Sequence, residues 1–238
     1  MPRFFVDTPL TAAGEITLPA GAARHVQVLR MQPGDTLTLF DGSGPEWQAE
    51  VTAMGRSEVR VNLLLAEQPQ RELACAVTLA IVMPANDRMD FLVEKATELG
   101  AVALQPLVAE RSVLRLAGER ADKKRAHWQG VAIAAAEQSG RTVPTRIEPV
   151  MSLAAWLSAL PEAGADEWRG LLSPRAATPL APLTQRRMLF LSGPEGGLSD
   201  AEEDAARARG FAAITLGPRI LRADTAPLAV LSWLSLTT

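Results

Sequence analysis

The stretch RMLFLSGPEGGLSDAEEDAARARGFAAITLG, residues 187–217, holds the reading on which the fold turns. An apolar strand runs into Gly-Pro-Glu-Gly-Gly, and an acidic helix starts at once. Ser199 followed three residues later by Glu202 is a capping box, so the helix begins there. Asp200, Glu202, Glu203 and Asp204 then fall in its first turn, where they complement the positive end of the helix dipole. A second apolar segment, AAITLG, closes the unit. Strand, helix and strand in this order predict a parallel α/β arrangement.

The same rhythm extends back to Leu73. AVTLAIVM (76–83) is a continuous apolar run, as expected of a strand buried on both faces. NDRMDFLVEKATELG reads as a helix, with Asn86 or Asp87 as N-cap and Gly100 as its stop. AVALQPLVA is the next strand, and a long helix spans Ala121 to Gln138. TRIEPV, a helix over Ala154–Leu160, RGLLSP, and a final helix from about Pro227 complete a mostly parallel sheet with helices on both faces. The first seventy residues differ. Phe4–Val6, Gly14–Leu18, TLTLF, EWQAEVTAM and EVRVNLLL read as short strands, Ala22–Met31 as one helix, and the set as a small barrel. The polar stretch AEQPQREL (66–73) separates the two rhythms, so a first domain is set at 1–70 and a second at 73–238.

Composition narrows the function classes. No apolar run is long enough to span a membrane, and MPRFFVDTPL is too short and polar for a signal peptide, so a reducing cytoplasm is the expected compartment. The single cysteine, Cys75, excludes an internal disulfide, and two histidines make a structural zinc site a poor reading; no metal is expected. A net charge of −3 and the absence of tyrosine argue against a global nucleic-acid footprint or a base-stacking platform. Any RNA role must rest on a local arginine patch.

Two readings of GPEGG stand: a tight turn into a well-capped helix, or a wall built so that backbone approaches a ligand. A phosphate cradle is excluded. It needs bare helix N–H groups and often a Lys, whereas four carboxylates here would repel a polyphosphate. The next strand ends in a similar loop, GPRILRADTAP (217–227), which contributes Arg219, Arg222 and Asp224, with Thr225 capping the last helix. Both loops leave the carboxyl ends of strands, the edge where α/β proteins bind ligands. Arg219 and Arg222 read equally as pocket residues or as a solvated turn.

These blocks resemble a family. FLSGPEGGLSDAEEDAARARGF followed by ITLGPRILRADTAPLAVL is similar to the C-terminal signature of SPOUT-class methyltransferases, of the RsmE type that methylates N3 of a uridine in small-subunit ribosomal RNA. RMDFLVEKATELGAVALQPLVAERSV and HWQGVAIAAAEQSGRTVPTRI resemble the family's upstream blocks. PRFFV and HVQVLRMQPGDTLTLFDGSG resemble its PUA-like RNA-binding barrel. The resemblance implies a trefoil-knotted sheet, a homodimer with the pocket near its interface, 16S ribosomal RNA in the small subunit as partner, and S-adenosyl-L-methionine as cofactor. It places the cofactor on Leu191, Gly193, Pro194, Glu195, Gly196 and Gly197 from one loop. Leu216, Gly217, Ile220, Leu221 and Arg222 form the other wall. A cofactor with a sulfonium, an amino group and no phosphate is compatible with an acidic helix start. Two departures stand out: Ala223-Asp224-Thr225 replaces a usual Thr-Glu-Thr, and Leu198 replaces a usual aromatic.

Methyl transfer to uracil N3 needs alignment and loss of the N3 proton, with negative charge left on the flanking carbonyls. A guanidinium fork suits that anion, which points to Arg222 and to Arg111 in AERSV. Asp224 or Glu98 is the candidate base. By spacing alone, Glu94, Lys95 and Glu98 read better as a solvated helix face with a weak ion pair. The resemblance assigns Arg3, Arg24, His25 and Arg30 to RNA contact, with Gln138 and Arg141 at the end of the long helix, where a cation also suits the dipole. His127 beside Trp128 reads as packing, and RADKKRAHW as a solvated basic face or a phosphate contact. Two rivals stand: a SPOUT enzyme acting on a ribose 2′-hydroxyl or another base, and a non-catalytic ribosome assembly factor.

Overall fold

The computed structural model of the chain describes residues 1–56, 58–85, 88–175 and 177–237. By its contacts the chain forms two units, Met1–Glu72 with Ala136–Pro144, and Leu73–Ala135 with Thr145–Thr238.

The first unit contains β1 (Arg3–Phe5), β2 (Gly14–Thr17), helix α1 (Ala20–Val28), β3 (Thr36–Phe40), β4 (Glu46–Met54) and β5 (Val59–Glu67). Its sheet runs β1-β3-β4-β5-β2, with β1 parallel to β3 and the other pairs antiparallel. Register shifts at Gln48/Ala49 and Val51/Ala53 bend the long β4–β5 pair, since each extra residue raises the local twist. Alternation sends Leu37, Leu39, Val51 and Val61 into one core, which α1 closes with Ala22, Ala23 and Val26. The helix starts at Ala20 and stops at Val28, two to three residues earlier than its apolar pattern suggests.

The second unit follows with β6 (Ala76–Val82), α2 (Arg88–Glu98), β7 (Ala103–Val108), α3 (Gly118–Ser139), β8 (Arg146–Ile147), β9 (Met151–Ser152) and α4 (Leu153–Ala159). It ends with β10 (Glu167–Leu172), β11 (Thr178–Pro179), β12 (Arg187–Ser192), α5 (Asp200–Ala208), β13 (Ala212–Thr215) and α6 (Thr225–Thr237). The last turn of α3 belongs to the first unit. The expected N-caps of α2, Asn86 and Asp87, lie outside the described residues. Strand order is β11-β13-β10-β12-β6-β7-β8, with β9 beside β7, and every pair is parallel. The short strands β9 and β11 carry no apolar run and escape a sequence reading.

Both faces of this sheet are covered, which is why its strands read as unbroken apolar runs. Val77, Leu79 and Ile81 of β6 and Phe190 of β12 join the core under α2, α3 and α6, whose largest buried side chain is Trp128. Ala80, Val82, Leu189 and Leu191 turn to the opposite core under α4 and α5. Among the described residues no helix is long and apolar enough to cross a membrane.

Candidate functional site

Because β10, β12 and β13 run parallel, the loops that follow them leave from one edge of the sheet. Between these loops lies a cavity of about 540 Å³, within the size range of small-molecule sites. The GPEGG loop and Ile220–Ala223 supply two walls. The third wall, Leu171–Arg175 at the end of β10 and in the loop beyond it, is one that sequence reasoning missed. Its residues follow an apolar strand like any other, and only the pairing order reveals that β10 sits next to β12.

The glycine loop is held by backbone geometry. A Cβ on Gly193 would lie 3.1 Å from Leu198 Cγ and 3.2 Å from the Leu198 nitrogen, so a side chain there would push its neighbour by a few tenths of an ångström. Gly197 has φ +69°, a conformation that L side chains rarely adopt. Leu198 is buried in the core under α4 and α5, so its size affects packing. Glu202 carries the entry to α5: one carboxylate oxygen accepts the Ser199 N–H at 2.9 Å and the other the Glu110 N–H at 2.8 Å.

The expected cofactor residues divide. Gly193, Pro194, Glu195, Gly196, Gly197, Ile220, Leu221 and Arg222 line the cavity. Leu191 does not: it is fully buried in the core beneath α4 and α5. Leu216 lines a smaller neighbouring cavity of about 60 Å³, and Gly217 reaches neither. Thr225 is the first residue within α6, so the flanking position falls to Asp224.

Three arginines line the main cavity, and their partners separate them. Arg88 pairs with Glu195 at 3.0 Å, and Arg175 pairs with Asp200. Arg222 is exposed, and among the described residues its guanidinium has no partner. Its carbonyl accepts the Thr225 and Ala226 N–H groups at 3.0 Å each, which pins the loop that carries it. Asp224, two residues on, has a buried Oδ1 with no hydrogen-bond partner.

Of the candidate catalytic residues only Arg222 lines the cavity; Asp224 adjoins its wall in the chain, and the other two are elsewhere. Arg111 lies outside the cavity wall and donates to the carbonyls of Gly196 at 3.1 Å and Leu198 at 3.4 Å, so it braces the glycine loop from behind. Glu98 is on α2, where Lys95 holds it at 2.8 Å while also meeting Glu94 at 2.7 Å; this is the solvated ion-pair face that the spacing allowed. His127 and Trp128 both bond Asp90, at 2.6 and 2.9 Å, and fasten α3 to α2. Burial of Asp90 opposes its charge, but the His127 and Trp128 bonds outweigh it and hold the carboxyl below its ordinary value. In the RADKKRAHW segment, Arg125 donates to the Ile147 carbonyl at 2.8 Å, and Lys123 pairs with Glu119.

The expected RNA set also divides. Arg24, His25 and Arg30 are exposed, as is Gln138. Arg3 and Arg141 are instead each held by a carboxylate. Arg3 pairs with Glu46 and donates to the carbonyls of Gly140 and Arg141 at 3.1 and 3.2 Å. The Arg141 side chain is 3 % exposed and grips Glu72. Burial works against the charge of Glu46, yet Arg3 and Arg71 together keep its carboxyl below its ordinary value. Glu137 goes the other way: burial raises it, despite the Phe5 N–H that it accepts at 2.9 Å.

Comparison with known proteins agrees with this geometry. The model of the RNA methyltransferase domain family matches residues 71–235, and that of the RNA methyltransferase PUA domain matches residues 18–64. The ribosomal RNA small subunit methyltransferase E of Bacillus subtilis is 31% identical over 249 residues, covering 100% of this chain and 97% of that protein. Its namesake from Mycobacterium tuberculosis is 31% identical, covering 96% of this chain and 88% of its own length. The crystal structure of the Neisseria gonorrhoeae protein of that name, bound to S-adenosyl methionine, matches with a TM-score of 0.91 and 36% identity, over 100% of this chain and 98% of that one.

Proposed function

Because the chain belongs to the RNA methyltransferase family that includes ribosomal RNA small subunit methyltransferase E, we propose that it methylates N3 of a uridine in 16S ribosomal RNA. S-Adenosyl-L-methionine is the cofactor, and the cavity suits it. Glycines and apolar residues supply much of its wall, and the lining carboxylates Glu195 and Glu203 are each paired with an arginine, so the site suits a ligand held chiefly by backbone and apolar contacts. The observation that carries the reading is Arg222, the one cavity-lining arginine without a partner among the described residues.

The cofactor supplies a methyl carbon activated by its sulfonium. This chain has to align the base and accept its N3 proton. Gly193, Gly196 and Gly197 let the main chain approach the adenosine part, with Ile220 and Leu221 opposite. Arg222 holds the two carbonyl oxygens that flank N3, stabilising the anion as it forms. Asp224, with one buried oxygen unsatisfied, is the proton acceptor we favour over Glu98; a side chain one methylene longer is usual there in the family, so its reach is shorter. Arg111 acts through the glycine loop as a positioning residue. Arg24, His25 and Arg30, with Gln138, contact the RNA backbone, while Arg3 and Arg141 serve the fold. The protein works as a cytoplasmic homodimer.

The test is methyl transfer from labelled S-adenosylmethionine to small ribosomal subunits from a strain lacking this gene, followed by nucleoside mass analysis. Labelled 3-methyluridine is the expected product. A labelled 2′-O-methyl nucleoside would move the chemistry to the ribose, and no transfer despite cofactor binding would overturn the substrate assignment.

A further inference from the structure

The third wall of the cavity is fastened by polar contacts that no sequence pattern announces. Ser173 and Glu203 are both 5 % exposed. The Ser173 hydroxyl donates to Glu203 Oε1 at 2.8 Å, and its oxygen accepts the Arg175 N–H at 3.1 Å. Glu203 Oε2 accepts from Arg207 at 2.9 Å, one helix turn further on. Arg175 then reaches Asp200 at the start of α5. Beyond Ser173, Pro174 and Arg175 are exposed and have no apolar anchor of their own. Helix α5 does not depend on this loop, since Ala206 and Phe211 hold it in the core and Glu202 secures its entry. Breaking the contact therefore loosens the wall from Ser173 onward, which keeps only the Ser173 N–H bond to the Ile214 carbonyl at 3.2 Å and the exposed Arg175–Asp200 pair, and leaves the helix in place.

We propose that Ser173 and Glu203 form a latch that positions the β10 loop against the glycine loop, and that this latch sets cofactor affinity. The proposal rests on the reading of the cavity as the S-adenosylmethionine site. Ser173 and Glu203 both line that cavity, and Leu172–Pro174 also line the smaller one beside it, so the loop is a shared partition. A partition held by a buried, charge-assisted hydrogen bond keeps its place before the ligand arrives, and such preorganisation appears as binding affinity.

Calorimetric titration of the full-length protein with S-adenosylmethionine tests this, alongside thermal unfolding without ligand. Ser173→Ala is expected to weaken binding about tenfold with the unfolding temperature lowered by only a few degrees, since Arg207 still holds Glu203, and Ser173→Thr to stay within about twofold. The double variant Ser173→Ala/Glu203→Ala is expected to bind no more weakly than the weaker single, because both remove one contact. In turnover, the loss should fall on KM for the cofactor, with kcat retained. Should Ser173→Ala not fold, Ser173→Cys, which swaps the oxygen for a weakly hydrogen-bonding sulfur, carries the same expectation. A folded variant with wild-type affinity, or losses that multiply in the double variant, would overturn the latch while leaving the cofactor site standing. Failure of the wild-type protein to bind would overturn both.

Discussion

Arg30 ends α1 with φ 55°, the one positive-φ residue other than glycine among the described residues. Its N–H bonds the Gln27 carbonyl at 3.0 Å, and the Met31 N–H reaches back to Val26 at 3.3 Å, which is a Schellman close normally given to glycine. Arg30→Gly is expected to raise unfolding stability by up to about 1 kcal/mol in urea titration, since the left-handed conformation is free of strain in glycine. The same change should weaken RNA binding, and a variant that is both more stable and equally avid would remove Arg30 from the RNA set. Arg3 predicts the contrary pattern. With Glu46 9 % exposed and held by both Arg3 and Arg71, Arg3→Ala should cost about 1 kcal/mol of stability, because Arg71 still pairs with the buried carboxylate. Losing Arg24 and Arg30 together should instead leave stability and cofactor affinity intact, and lower the salt slope of RNA binding by about 2. In the sequence Arg3, Arg24, Arg30 and Arg141 look alike. What separates them is a carboxylate far along the chain, and a linear reading does not see that proximity.

At the scale of elements, α2 and α3 are fastened by Asp90, which takes His127 and Trp128 together. The native carboxyl sits below its ordinary 3.8, so its contribution is complete above that pH and is lost as pH falls through the lower folded value. Asp90→Asn should therefore show a flatter loss of stability below about pH 4 than the wild type, measured by chemical unfolding across pH. The glycine loop supports a sharper expectation. Gly193→Ala places a methyl 3.1 Å from Leu198, so Leu198 or the loop must give by a few tenths of an ångström, and cofactor affinity should fall by up to about tenfold while the fold persists. This loop was legible in the sequence because glycine and a capping serine have local causes. The apolar runs of β6 and β12 were legible because burial on both faces shows in composition. The entry of β12 between β6 and β10, and with it the third cavity wall, was not legible: strand order depends on pairings across about a hundred residues, and those leave no periodic trace.

At the scale of the molecule, the exposed apolar side chains of the second unit bear on assembly. Leu236 on α6 is 86 % exposed and Phe91 on α2 49 %, on two helices that pack together, while Ile220 at the cavity wall is 85 % exposed. Isolated exposed leucines are ordinary, but apolar groups on adjoining helices, with another at the cavity, are what an interface beside the pocket requires. A homodimer whose interface also took in Ile220 would shield the cavity from water, which strengthens the electrostatic contacts of Arg222. Sedimentation at micromolar concentration is expected to give twice the chain mass of 25.4 kDa. Leu236→Glu should shift the protein towards monomer, because it places a charge in a face that must lose water. If the pocket is completed by the partner, that monomer binds S-adenosylmethionine more weakly although residue 236 touches neither cavity. A monomeric variant with unchanged affinity would instead show that one chain builds the whole site, and the dimer would then bear on RNA alone.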